Sequence, residues 1–122
     1  MLVNFTNHPS ASWPEEQRRA AETYGPIVDR PFPMVNAEWP ESEIRRIALR
    51  ESEAICALQP SAVVCQGEFT LAYAVIRQLI GKGVTVLAAC SNRVAEETMA
   101  PDGGILRKSV FRFVRFRSYN ES

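Results

Sequence analysis

The sequence predicts an α/β domain built on a mainly parallel sheet, and three observations carry that reading. Two short apolar runs, Ala62-Val63-Val64-Cys65 and Val84 to Ala89, flank the helical segment Glu68 to Ile80. Each run is apolar without alternation, as in strands buried on both faces. Strand, helix and strand together make a βαβ unit, whose crossover is right-handed and whose strands are parallel.

The remaining elements follow in chain order. Leu2 to Thr6 reads as a first strand, broken by Asn7-His8-Pro9-Ser10. A helix is expected from Trp13 to Tyr24, since Pro14 suits a first turn, Glu15 and Glu16 suit the positive end of the helix dipole, and Gly25-Pro26 stops it. Ile27 and Val28 seed a short strand. The proline-rich stretch Asp29 to Pro40 is an irregular connection to a second helix opening near Ser42. There Ile44, Ile47, Ala48, Ile55 and Leu58 form an apolar stripe, and Pro60 ends it. The helix Glu68 to Ile80 is apolar on most sides and is expected to be buried, with Gly81-Lys82-Gly83 closing it. The predicted core includes Val63, Val64, Leu71, Val75, Leu79, Val86 and Leu87.

Residues 92 to 104 are polar and read as a loop ending in the turn Asp102-Gly103-Gly104. Ser109 to Tyr119 is a last strand, antiparallel at an edge or in a hairpin with residues 105 to 108. Phe111 and Phe113 alternate with Arg112, but Val114 and Phe116 keep the opposite phase, which calls for a bulge near Val114 or burial on both faces. Asn120 to Ser122 are expected to fray.

The bulk numbers bound the function. A chain of 122 residues fits a single domain spanning 1–122, burying roughly two thirds of its unfolded surface. With 14 basic and 14 acidic residues and 46% hydrophobic content, neither disorder nor a nonspecific polycation is indicated. Arg107, Lys108, Arg112, Arg115 and Arg117 cluster late in the chain, where they can meet an anion or keep a sheet edge soluble. Cys56, Cys65 and Cys90 are odd in number and lack C-x-x-C spacing, which disfavours a disulfide framework or a zinc site. A cytoplasmic protein without a membrane span is expected.

Ligands of open α/β sheets bind beyond the carboxyl ends of the strands. That rule selects Asn7, His8 and Ser10 after the first strand, Gln66, Gly67, Glu68, Phe69 and Thr70 after the third, and Ser91 and Arg93 after the fourth. Gln66 to Thr70 offers a flexible glycine and free N–H groups at a helix start, a cradle for an anion unless Gly67 only makes a turn and Glu68 only serves the dipole. No dinucleotide fingerprint or nucleoside-triphosphate loop is present. His8, the only histidine, is a candidate general acid or base, against a capping or packing role. Glu68 and Arg93 are the other catalytic candidates; no metal ligands and no cofactor are expected. Cys65 and Cys90 read as packing residues rather than a reactive pair.

The segments Asn-Phe-Thr-Asn-His-Pro-Ser, Cys-Gln-Gly-Glu-Phe-Thr-Leu-Ala-Tyr and Phe-Val-Arg-Phe-Arg-Ser-Tyr resemble compact CRISPR-associated ring nucleases, which are similar to CARF domains. The resemblance runs from Leu2 to Tyr119. It implies a Rossmann-like, CARF-like fold, a homodimer, and metal-independent cleavage of a cyclic oligoadenylate messenger, cyclic tetra-adenylate first, by a ribose 2′-hydroxyl, which switches off type III CRISPR signalling. Duplex DNA is not an expected partner. A sensor that binds the messenger without cutting it, and a binder of another nucleotide or phosphorylated metabolite, are the alternatives.

Overall fold

A computed structural model of the chain describes residues 1–121. Five strands are present among them: β1 (Leu2–Phe5), β2 (Ile27–Asp29), β3 (Ala62–Cys65), β4 (Val86–Met99) and β5 (Ile105–Ser118). Three helices join them: α1 (Glu15–Glu22), α2 (Glu41–Ala57) and α3 (Phe69–Gly81), with a single 3-10 turn at Ser10–Ser12. The strands lie in the order β2-β1-β3-β4-β5, parallel throughout except for the antiparallel pair β4–β5. This is an α/β architecture with a mixed, mainly parallel sheet flanked by helices. The predicted βαβ unit is present, with Val63 beside Val86 and Val64 beside Leu87.

Alternation along the central strands divides the core into two layers. Val3, Phe5, Val63, Cys65 and Val86 face α2 and α3, where they meet Ile47, Ile55, Leu71, Val75 and Leu79. Leu2, Ala62, Val64 and Leu87 face α1, where they meet Trp13, Ala21 and Phe116. All seven predicted core residues are buried. Helix α3 is more lopsided than expected, because Phe69 and Tyr73 are 89% and 63% exposed and only its sheet-facing stripe is covered. Asn120 does not fray: its side chain accepts from the Val86 N–H and donates to the Val84 carbonyl, sealing the start of β4. Ser122, also expected to fray, lies outside the described residues.

The largest departure is at residues 92 to 104. Instead of a loop, β4 continues to Met99, and Ile105 to Ser118 return beside it as one long hairpin turned at Ala100–Gly104. Its polar composition hid the strand, because a two-stranded ribbon facing water on both sides needs no apolar face. Cross-strand pairs stand in for one: Arg112 with Glu96, and Arg107 with Glu97 at 3.1 Å. The phase change in β5 is a bulge, as expected. Cys90 pairs with Arg115 and Ser91 with Phe113, so Val114 is the extra residue. The inserted residue turns Phe113 and Phe116 to the same face, where their rings meet edge-on at 5.0 Å.

Candidate functional site

The first strand ends in a loop held by a polar network. Asn4 is buried, and its Nδ2 donates to the His8 carbonyl and to Asp29 Oδ1, both at 2.9 Å. Thr6 Oγ1 donates to Asn4 Oδ1 and accepts from the His8 N–H. Ser10 donates from its N–H and hydroxyl to Asp29, and the Trp13 indole N–H donates to the His8 carbonyl at 3.0 Å. The His8 backbone is thus fixed at both its N–H and its carbonyl, while its side chain stands in solvent. Asp29 at the end of β2 is the organiser that sequence reasoning missed. Its signal was only its place at a strand end beside a proline-rich connection.

At the carboxyl ends of β1 and β3 lies a crevice of about 590 Å³ on the α1 face. It brings together three of the predicted residues, His8, Gln66 and Ser91. Around them stand Thr6, Ser12, Gln17 and the rings of Trp13, Phe111 and Phe113. Gln66 bridges the gap where the parallel ladder stops, its Oε1 accepting the Ala89 N–H at 3.2 Å. Trp13 and the two phenylalanines were not foreseen as site residues. The alternation of Phe111 with Phe113 was visible, but their position over the crevice depends on the length of β4.

The remaining predicted residues sit elsewhere or act differently. Asn7 is exposed and does not line the crevice, and Ser10 is committed to Asp29. The expected anion cradle at the start of α3 is already filled from within the chain. Glu68 is the N-cap, and its carboxylate accepts the N–H groups of Thr70 and Leu71, each at 3.0 Å, as well as the Thr70 hydroxyl. Those Thr70 and Leu71 hydrogen bonds hold the Glu68 carboxyl below its ordinary value. An arriving phosphate would have to displace it.

Gly67 turns its α-carbon toward the core. A Cβ there would stand 2.5 Å from the Phe32 ring, so the glycine admits a core aromatic. Phe69 points into solvent, while Glu68 and Thr70 border a second, larger groove of about 1000 Å³ between α2, α3 and the segment around Trp39. Arg93 is on β4 rather than in a loop over the crevice. Its guanidinium lies 5.4 Å from the centre of the Phe111 ring, at the crevice rim. Beyond the bulge, Arg115 and Arg117 pair with Cys90 and Ala88, on the opposite face from the crevice, and Arg112 is held by Glu96.

Burial pushes the Cys65 thiol up to about 12, which fits a packing residue. Among the described residues no group of three histidine, cysteine, aspartate or glutamate side chains is placed to hold a metal ion. No described helix is long and apolar enough to cross a membrane.

The model of the uncharacterized protein MJ1673 family matches residues 1–117. The chain belongs to that family. The match takes in α1, α2, α3 and all of the sheet except the last residue of β5, so the crevice and the long hairpin both lie within the family's span. No curated protein and no solved structure matches the chain.

Proposed function

We propose that this protein binds a cyclic oligoadenylate, cyclic tetra-adenylate first, in the crevice above β1 and β3 and cleaves it without a metal ion. One observation carries the reading: His8, Gln66 and Ser91 converge there with the rings of Trp13, Phe111 and Phe113. Aromatic rings stack nucleobases, and amide side chains hydrogen-bond to base edges. In the reaction a ribose 2′-oxygen attacks the adjacent phosphorus as the bond to the 5′-oxygen breaks. The products carry a 2′,3′-cyclic phosphate and a 5′-hydroxyl. His8 takes the 2′-hydroxyl proton or supplies one to the departing 5′-oxygen, and the fixed loop around it aligns the attack. Arg93 at the rim meets a phosphate. A ring of four nucleotides would spread over two such crevices, which suits a two-fold homodimer. Its destruction would end a type III CRISPR signal.

A sensor that binds without cutting is favoured by one feature, the lack of any lysine or arginine among the described residues lining the crevice. Incubation with labelled cyclic oligoadenylates of several sizes, with and without chelator, separates the readings. Metal-independent linear products support the nuclease, while retention without products supports the sensor. Retention only of another nucleotide or phosphorylated metabolite rejects both.

A further inference from the structure

We propose that the free edge of β4, residues 91–99, is the surface on which two copies of this chain pair, antiparallel about a two-fold axis at Ala95. β4 is paired with β3 only at Val86 and Leu87, and Gln66 satisfies the Ala89 N–H. From Ser91 to Met99 its only strand neighbour is β5. The ribbon it forms with β5 extends about 30 Å at 3.4 Å per residue. A two-stranded ribbon in water is marginal by itself, and a long free edge without proline is a template for another strand. The ribbon also exposes Met99, Ile105 and Phe111, which are 83%, 71% and 68% accessible.

Charge selects both the occupant and the edge. The outer edge belongs to β5, which carries Arg107, Lys108, Arg112, Arg115 and Arg117 and no acid, so two copies meeting there would set like charges together. The β4 edge is self-complementary. A two-fold at Ala95 sets Arg93 of each copy opposite Glu97 of the other, on one face, with Ala95 opposite its own counterpart. A nucleic acid is disfavoured at this edge, since between Ser91 and Met99 β4 carries two acids, Glu96 and Glu97, against the single base Arg93. The second copy's ribbon would then run over the carboxyl ends of β1 and β3, bordering the crevice. The pairing depends on edge chemistry and not on the ligand, so it is tested without ligand.

Sedimentation of the intact protein is expected to show a dimer. Arg93→Glu and Glu97→Arg should each weaken it about tenfold, since each sets two pairs of like charges face to face. An equimolar mixture of the two variants should recover it, because the heterodimer restores both opposite-charge pairs. In a Cys90→Ser background, Ala95→Cys should oxidise to a disulfide dimer, because directly opposed strand residues lie within disulfide range. Ser109→Cys on β5 should not. A monomeric parent overturns the proposal. So do single variants that dimerise like the parent, a mixture that fails to recover, or cross-linking at Ser109 in place of Ala95.

Discussion

Replacing Gly67 by alanine separates a glycine that admits a ligand from one that admits a core ring. The backbone at Gly67 is not in the left-handed region, so the new methyl brings no conformational strain. Its cost is steric. The Cβ would lie 2.5–2.6 Å from three atoms of the Phe32 ring, a side chain only 4% exposed and packed against Phe5 in a tilted pair at 4.9 Å between ring centres. Neither ring can retreat into solvent without opening the layer between the sheet and α2, so overpacking of about 1–3 kcal/mol is expected. In a domain of this size that lowers the melting temperature by roughly 4–12 °C. Calorimetry on Gly67→Ala, Phe32→Leu and the double variant forms a cycle. The double variant should be more stable than additivity predicts by at least about 1 kcal/mol, since a leucine in place of Phe32 is smaller and leaves space for the methyl. Melting of Gly67→Ala within a degree of the parent, or strict additivity, would refute the packing argument.

The same geometry sets three further expectations. Val75→Ala or Leu79→Ala, each emptying a fully buried site in the layer between the sheet and the α2–α3 pair, should cost about 2 kcal/mol or more in chemical denaturation, and a smaller loss would mean that α3 packs less tightly than described. Glu68→Gln should lower stability at neutral pH, with a gap that narrows on acidification. The folded carboxyl lies below the unfolded value of about 4.3, so its contribution is present above that value and lost as pH falls through the folded one; an equal gap at low and neutral pH contradicts the cap. Iodoacetamide on the native protein near neutrality should alkylate the partly exposed Cys56 and Cys90 well before the buried Cys65, as read by mass spectrometry, and early loss of Cys65 would contradict its elevated pKa.

Much of the fold was legible because its signals are local. The apolar runs at Ala62–Cys65 and after Val84, the helix between them and the break at Pro60 each follow from a short stretch of sequence. So does the bulge at Val114, which two clashing phases of alternation announce. The extension of β4 was not legible: Ser91 to Met99 is held by cross-strand partners distant in sequence and by ion pairs rather than by an apolar face. That omission carried into the site. With β4 ending at Ala89, Arg93 falls in a loop, whereas the real strand places it beside Phe111. The start of α3 was ambiguous in sequence for another reason. Glycine and free N–H groups look alike whether an anion or the chain's own Glu68 fills them, and only side-chain positions tell them apart. His8 and Gln66 follow the ends of β1 and β3, and Ser91 stands on β4 just beyond its pairing with β3, so the three converge past the carboxyl ends of the parallel strands, a placement that sequence order conveys.

Cleavage in the crevice is tested most directly by mixing the pure protein with cyclic tetra-adenylate in the presence of chelator and resolving the products by chromatography and mass. The parent is expected to give linear fragments ending in a 2′,3′-cyclic phosphate. His8→Ala should slow cleavage at least tenfold with binding little changed, and Phe113→Ala should chiefly weaken binding, by about 1–3 kcal/mol for the loss of one stacking surface. An intact ring after prolonged incubation, together with no binding of any cyclic oligoadenylate, would contradict the assignment of this crevice.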